Sequence, residues 1–558
     1  MTSLQSINSN RSIFSSLSKA YIEGKGHSYF KTHFLDPEAY VNRLNYVHSR
    51  TYQRATLAHV LVSYQKRIQA PESAFRSIEK LHDPRSLVVV TGQQAGIFGG
   101  PLYTVYKALT AIKVARDQET QLGLPVVPIF WVASEDHDFA EVNHMTYIVD
   151  CQVKQVKTDN KQGKGGHNPS KDAFNAFTLK ESVGHMDVND SIVHAIDQVL
   201  EDLDPKGQSQ LKALFRDTLE EDQSYSDWFS SILTSLLGDL GLVVMDPMDP
   251  EVRRLGSPFL LEALTKGGDL ADWINDQETN LETDGYTPLI RLREGTTGLY
   301  LYQGGQRLAL HYRESQYSLE GQSGPIAMTH RDLEDLANNH PDRFSTNVAL
   351  RPLFQDFVLP TLAYVAGPGE LAYYGQVNRV YGHFAMEPPI FVPRENFTLV
   401  TRDMVDLVDR VNIPMDKVLD QPIHDFVQAG LGHHAGNGID PLVQSFKAEL
   451  DRAYEHLQEQ LEVLVPEIAS IKESNKYHLD YQIDYLHQKA WRFQRKHHRQ
   501  LVTQLEGIHC HCQPNGRPQE RILGLATILA TSGSGWLKEV LDLPYDHKHR
   551  ILVLEENQ

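Results

Sequence analysis

The stretch from residue 87 to residue 138 constrains the fold of this chain more than any other. Leu87, Val88, Val89 and Val90 make a short apolar run rich in β-branched residues, and Gly92, Gly96, Gly99 and Gly100 follow it. Pro101 then opens a segment carrying Leu102, Val105, Leu109 and Ile112 at spacings of three, four and three. That is the period of an amphipathic helix, with proline at a helix start, where its missing N–H is no loss. Gly123 and Pro125 break the helix, and a second apolar run, 126–133, leads into Ser134-Glu135-Asp136-His137-Asp138. Strand, glycine turn, helix and strand in this order predict a βαβ unit, and hence a parallel sheet. Pro128 counts against the start of the second strand.

The rest of the chain extends this pattern and then leaves it. Residues 240–245 read as another buried strand, ended by Asp246. Residues 361–366 read as a further one, leading into Gly367-Pro368-Gly369-Glu370 and a helix that runs to about Phe384; 389–392 is the candidate last core strand. Residues 1–85 read as helical, with Pro37 and Pro71 as punctuation. The segment 151–230 is polar, with a loop near 161–170, and 284–330 is β-rich. From Pro441 the period changes: Phe446, Leu450, Ala453, Leu457, Leu461, Leu464, Ile468 and Ile471 follow a near-heptad spacing, and Ile483, Leu486, Ala490, Phe493, His497 and Leu501 form a second run. With the polar Glu473-Ser474-Asn475-Lys476 between them, these runs predict an antiparallel coiled-coil hairpin whose first helix is bent by Pro466.

Composition sets the outer limits. With 41% apolar and 22% charged residues, the 558 residues are ordinary globular material, enough for several domains. The formal charge is −19, from 72 acidic and 53 basic residues. Such a chain repels phosphate backbones and argues against nucleic acid as a partner, although a local basic cluster can hold a small anion. Cys151, Cys510 and Cys512 are too few for a disulfide framework and fit a reducing cytosol. The polar N-terminus lacks the apolar region of a signal peptide, and no apolar run approaches the roughly 18 residues of a membrane span. We therefore expect a cytoplasmic protein without a membrane partner.

Five motifs carry candidate chemistry. Thr91-Gly92-Gln93-Gln94-Ala95-Gly96 lies between a strand and a helix, where backbone N–H groups and the helix dipole would face a ligand above the sheet. It is neither a dinucleotide fingerprint nor a phosphate-binding P-loop, and Lys107 lies too far along to serve one. A ligand-free βα turn would look similar, but two adjacent glutamines are a poor choice for it. Ser134-Glu135-Asp136-His137-Asp138, with Glu141 and His144 nearby, sits at the carboxyl end of a strand, where open α/β sheets keep their chemistry. Carboxylates and a histidine there suit a general base, an ammonium site or Mg²⁺, and equally a solvated acidic turn. Arg351, in Arg351-Pro352-Leu353-Phe354-Gln355-Asp356, can grip a carboxylate in two-pronged fashion or pair structurally with an aspartate. His509-Cys510-His511-Cys512 resembles a metal cluster, but so tight an alternation chelates poorly and no second ligand pair follows, so no metal site is assigned. Pro514-Asn515-Gly516-Arg517-Pro518-Gln519-Glu520-Arg521 reads as a helix-preceding turn or as part of a ligand pocket.

Taken together, VVTGQQAGIFGGPLYTVYKALTAIKVA, PVVPIFWVASEDHDFAEVNH, RPLFQDFVLPTLAYVAGPGELAYYGQ, FVPRENFTL and PNGRPQER resemble the cysteine-adding enzymes of bacillithiol biosynthesis, the BshC family. The resemblance covers nearly the whole chain, in the same order. It implies an α/β fold with a Rossmann-type core related to class I aminoacyl-tRNA synthetases and nucleotidylyl transferases, with connecting insertions and a coiled-coil domain that forms a homodimer. The layout expected is an N-terminal helical segment (1–85) packed on the core, a core at 86–400 with insertions at about 151–235 and 284–345, a coiled-coil domain at 401–508, and a C-terminal segment, 509–558, returning to the core. The implied reaction joins the carboxyl of L-cysteine to the glucosamine amine of glucosaminyl-malate. The HIGH and KMSKS signatures of the synthetases are absent.

On this basis Glu135, Asp136, His137 and Asp138 are the candidate catalytic group, binding the cysteine ammonium or deprotonating the glucosamine amine. Gln93, Gln94, Gly96, Tyr103, Arg351, Gln355, Gly369, Glu370 and Arg394 are candidate substrate-binding residues. Among them Gln93, Gln94 and Gly96 would hold the cysteine carboxyl, and Arg351 and Arg394 the malate carboxylates or a phosphate. A carboxylate does not condense with an amine unaided, so ATP is the expected cofactor, with Mg²⁺ as a candidate, and Asn515, Gln519 and Arg521 are candidates for the nucleotide. Two other functions share these features: a nucleotidylyl transferase acting on a small anion, and a non-catalytic coiled-coil interaction protein.

Overall fold

The computed structural model describes residues 5–8, 14–25, 28–135, 138–159, 183–203, 205–220, 223–303, 306–321, 324–435 and 438–555. Its central sheet has five parallel strands: β1 (Leu87–Gln93), β2 (Val126–Val132), β3 (Val243–Met245), β4 (Thr361–Ala366) and β5 (Ile390–Pro393). Their spatial order is β5-β4-β1-β2-β3. The anticipated βαβ unit is present, with α1 (Leu102–Leu122) joining β1 to β2 in a register that runs from Leu87 opposite Val126 to Gln93 opposite Val132. Helices cover both faces, which is why these strands are near-continuous apolar runs and not alternating ones. Pro128 fits inside β2 because the register with β3 starts only at Ile129 opposite Val243. The free edge of β3 is closed by Gln65, whose amide donates to the Val244 carbonyl at 2.6 Å and accepts from its N–H at 3.3 Å.

The order places β1 between β2, which follows it directly in sequence, and β4, which follows it only after more than 250 residues. Chain direction away from β1 therefore reverses between β1 and β4, and α2 (Pro368–His383) leaves the carboxyl end of β4. A crevice at such a switch is where ligands bind in open α/β sheets. The first 85 residues supply helices Pro37–His48, Arg54–Arg67 and Glu72–Glu79, which bury apolar faces against the core. In the first insertion, a hairpin, His144–Val149 with Gln152–Lys157, precedes three helices; the loop near 161–170 lies outside the described residues. The β-rich insertion is an antiparallel meander, Thr296–Gln303, Gln306–Arg313, Gln316–Gly321 and Gly324–Met328, with Phe344–Thr346 added beside the first strand.

A third sheet gathers distant parts of the chain. His549–Leu554 lies parallel to Asn396–Thr401 and antiparallel to Gln5–Asn8. Glu395, fully buried, pairs with Lys113 of α1 at 2.8 Å and with Arg550, locking the last strand to the core.

The coiled-coil hairpin differs in detail from the sequence reading. Helix α3 (Ile439–Leu464) stops before Pro466 instead of bending through it, because a 3-10 turn, Pro466–Ile471, reverses the chain there. Glu473, Ser474, Asn475 and Lys476 belong to helix α4 (Lys472–His497), not to the turn. A third helix, α5 (Arg499–Cys512), leads back to the core. Interhelical ion pairs Lys447–Asp484 and Lys476–Asp451, each at 2.6 Å, confirm that α3 and α4 run antiparallel. Most of the apolar seam is open to solvent: Val463 and Leu464 are 83% and 75% exposed, and Phe446, Leu457, Leu486 and Phe493 are exposed too. No helix among the described residues is long and apolar enough to cross a membrane.

Candidate functional site

A cavity of about 580 Å³ opens at the β1–β4 switch. Its floor comes from the carboxyl ends of the two strands, Gly92, Gln93 and Gln94 on one side and Gly367, Pro368, Gly369 and Glu370 on the other. Gly92 is required by close approach, since a Cβ there would meet the Trp131 carbonyl of β2 at 2.6 Å. Gly99 and Gly100 carry positive φ, +83° and +74°, in the turn that enters α1.

Lys107 organises the floor. It lies on the buried face of α1 and donates to the Gly92 carbonyl at 2.8 Å and the Gln93 side-chain oxygen at 3.0 Å, while pairing with Glu370 at 2.5 Å. Glu370 also accepts from the Gly367 N–H and the Tyr364 hydroxyl, both at 2.8 Å. Burial pushes the Lys107 ammonium down, against the pull of Glu370. For Glu370, burial favours the neutral form but is outweighed by Lys107 and Arg351, which hold the carboxyl below its usual range. Both groups are thus consumed by each other and by the backbone, and they set the positions of Gln93 and of the β4–α2 turn.

The walls are cationic. Around the cavity stand Lys107, Arg307, Arg351, Arg394 and Arg521, against the carboxylates Glu135, Glu141 and Glu370. Arg351, at the start of helix Arg351–Val358, donates to the Tyr373 hydroxyl at 2.8 Å, and burial pushes that hydroxyl up to about 12. Arg307 stacks on the Tyr300 ring at 4.0 Å and donates to Ser345 and to the Thr346 carbonyl. Arg521 is exposed at the mouth and makes no ion pair with a described residue.

The structure thus gathers Gln93, Gln94, Tyr103, Glu135, Arg351, Gly369, Glu370, Arg394 and Arg521 around one cavity. It redistributes the remaining candidates. Glu135 is buried and bound by Arg253 at 2.6 Å, with the Thr346 N–H donating to it at 3.2 Å, so its carboxylate is held as a structural partner. Asp138 is exposed and caps the short helix Phe139–Val142 through the Ala140 N–H; Asp136 and His137 lie outside the described residues. Arg394 is gripped in two-pronged fashion by Glu520, both contacts at 2.8 Å, which occupies the face expected to bind a ligand anion. Gln355 and Gly96 do not line the cavity. Gln519 is fully buried, its amide exchanging bonds with the Leu399 backbone, and Asn515 borders a second cavity at the base of the coiled coil. The start of α1 is also taken: the Leu523 carbonyl accepts from the Leu102 N–H at 2.8 Å. The helix terminus that the glycine turn suggested for an anion is thus partly occupied, and the cationic groups on the cavity are side chains.

Lys107, Tyr373, Arg307 and Tyr300 were not among the sequence candidates. A signal existed for Lys107, which follows Tyr103 by one helical turn, so that the two share a face of α1 away from Leu102, Val105, Leu109 and Ile112. Arg307 and Tyr300 belong to meander strands with no motif. His509, Cys510, His511 and Cys512 fall on different sides of α5: His509 bonds the Gln421 carbonyl, His511 the Leu399 carbonyl, and Cys512 is buried. Among the described residues, no group of three or more His, Cys, Asp or Glu is arranged to hold a metal.

Comparison with known proteins covers both halves of the chain. The family model described as Bacillithiol biosynthesis BshC, N-terminal Rossmann-like domain, matches residues 2–395, and Bacillithiol biosynthesis BshC, C-terminal coiled-coil domain, matches 397–556. A protein of Geobacillus thermodenitrificans named "Putative cysteine ligase BshC" is 32% identical over 552 residues, spanning 96% of this chain and 98% of that protein. Its namesake in Geobacillus kaustophilus is 31% identical over 524 residues (93% and 94%), and one in Bacillus cereus 27% over 525 residues (94% and 95%).

Proposed function

The chain belongs to the BshC family of bacillithiol biosynthesis, and we propose that it is the ligase that joins the carboxyl of L-cysteine to the glucosamine amine of glucosaminyl-malate. The carrying observation is the charge of the cavity: a chain of net charge −19 surrounds this crevice with five cationic side chains and three carboxylates, and once the pairs Lys107–Glu370, Arg253–Glu135 and Arg394–Glu520 are set aside, Arg307, Arg351 and Arg521 stand against Glu141. That surplus suits a substrate with two carboxylates.

Arg351, half-buried against Tyr373 and free of any ion pair with a described residue, is assigned to a malate carboxylate, with Arg307 beside it. Gln93 and Gln94 are assigned to the cysteine carboxyl. Glu135 is bound by Arg253, so Glu141 on the cavity wall, with no ion pair to a described residue, is the carboxylate placed to receive an ammonium or take the amine proton. Amide formation requires an activated carboxyl. ATP would supply that activation, and the Arg521 guanidinium at the mouth, which has no ion pair with a described residue, fits a phosphate. The solvent-exposed seam of α3 and α4 is assigned to a twofold homodimer.

The test is direct. Purified protein is incubated with L-cysteine, glucosaminyl-malate and ATP, and thiols are labelled and identified by mass spectrometry. The expected product is bacillithiol; a nucleotide-bearing product in its place, or no product with active controls, overturns the assignment. Light scattering should give twice the chain mass, and a monomer at micromolar concentration refutes the dimer.

A further inference from the structure

Two of the three cysteines line one cavity outside the substrate cavity. Cys151 occupies the tip of the hairpin His144–Val149 with Gln152–Lys157, where Asp150 and Cys151 take φ of +48° and +59°, as a tight two-residue hairpin turn requires. This turn sets Cys151 against α5 at Gly507: a Cβ on Gly507 would lie 2.6 Å from the Cys151 sulfur. Cys510 follows Gly507 by three residues on the same helix face. Helical side chains lean toward the helix N-terminus, so the Cys510 side chain reaches back over Gly507, which interposes no side chain of its own. After burial, the neighbouring Cys151 is the second cause that pushes the Cys510 thiol up. Both cysteines border a cavity of about 700 Å³, Cys151 exposed and Cys510 half-buried, whereas Cys512 is sealed in the core at the coil base.

We propose that Cys151 and Cys510 are a redox-active pair, oxidised by a low-molecular-weight disulfide to a cross-link between the hairpin and α5. The exposed Cys151, as thiolate, attacks one sulfur of the disulfide RSSR. The S–S bond breaks, one RS⁻ leaves and takes up a proton, and Cys151–S–S–R remains. Cys510, deprotonated in turn, attacks the Cys151 sulfur and expels the second RS⁻. Two protein thiols and one RSSR become one protein disulfide and two RSH; the protein is oxidised by two electrons and the small disulfide is reduced.

The cross-link would join two elements that both connect to the segment carrying Glu520 and Arg521. Thr146 of the hairpin accepts from the Gly524 N–H at 2.9 Å, and α5 continues to Glu520, which holds Arg394, and to Arg521. The pair's chemistry is independent of the proposed ligase reaction. If that reaction holds, the oxidised form of its own thiol product is a disulfide of this class.

Full-length protein is incubated with oxidised glutathione, quenched with N-ethylmaleimide and mapped by mass spectrometry. The expected results are an intact mass lower by two hydrogens, a linked peptide containing Cys151 and Cys510, and reversal by dithiothreitol. Cys512→Ser should behave like the wild type, and Cys510→Ser should keep a glutathione adduct on Cys151. A wild-type chain that keeps that adduct beside an alkylated Cys510, that links Cys510 to Cys512, or that does not react overturns the proposal. Melting curves of the reduced variants show that they are folded, and the wild-type map decides alone if one is not.

Discussion

Around the substrate cavity and along the coiled-coil hairpin, the molecule treats charge in opposite ways. At the cavity, Lys107–Glu370, Glu135–Arg253 and Arg394–Glu520 are withdrawn from water, and Lys107, Glu370, Glu135 and Arg394 also bond backbone or a neighbouring side chain. In the hairpin, Lys447–Asp484 and Lys476–Asp451 stay partly in solvent while the apolar seam beside them is bare. Buried pairs are costly to desolvate and cannot be halved cheaply, so they serve geometry, holding the floor of the cavity in place. Exposed pairs set only the register of two helices and leave the apolar surface beside them open to solvent.

The contrast predicts a graded set of losses. Lys107→Met leaves Glu370 buried without its cation, and we expect a loss of about 3–5 kcal/mol in urea unfolding together with loss of ligase activity. A variant within about 1 kcal/mol of the wild type would show that the pair is not structurally decisive. Next comes acid. Burial holds His511 down to about 4, below its unfolded value near 6.5, while it bonds the Leu399 carbonyl at 3.0 Å. In this range the unfolded chain takes up a proton that the folded chain refuses, so stability present above about 6.5 is lost as pH falls toward about 4, by up to about 3 kcal/mol. Unfolding followed from about pH 7 to about pH 5 should fall more steeply for the wild type than for His511→Gln; parallel curves would remove the histidine from the account.

Smaller effects follow. Arg351→Gln should raise the KM for glucosaminyl-malate on the order of a hundredfold, about 2–3 kcal/mol, with the KM for cysteine nearly unchanged. An equal rise in both would show that Arg351 shapes the whole cavity and not one carboxylate subsite. Smallest is Lys476→Met in the hairpin, expected to cost no more than about 0.5 kcal/mol. A loss comparable to that of Lys107→Met would erase the distinction between the two regions.

Period and punctuation made the core legible in the sequence: the apolar run before Gly92, the helix opened by Pro101 and the strand ended before Ser134 all stand where the pattern put them. The cavity was legible where motifs flank strand ends, at Gln93, Gln94, Gly369 and Glu370. Partnership was not legible. Nothing near Glu135 in sequence announces Arg253, and nothing near Arg394 announces Glu520, because each pair is made by folding across more than a hundred residues. Tyr454 shows the same limit in the hairpin. It is 7% exposed because its hydroxyl reaches the Lys472 carbonyl beyond the turn, a contact that no spacing announces.

The strand His549–Leu554 gives this architecture a timetable. Core strand β1 leaves the ribosome some 450 residues before that last strand exists, and at roughly 5–20 residues per second the delay is on the order of half a minute or more. Through that interval Asn396–Thr401 has no strand on the side that His549–Leu554 will occupy, Glu395 lacks Arg550, and, until the chain passes residue 520, Arg394 lacks Glu520. The nascent chain thus carries an open sheet edge and half-finished ion pairs until that strand has been made, and the third sheet is among the last parts of the Rossmann-like half to close.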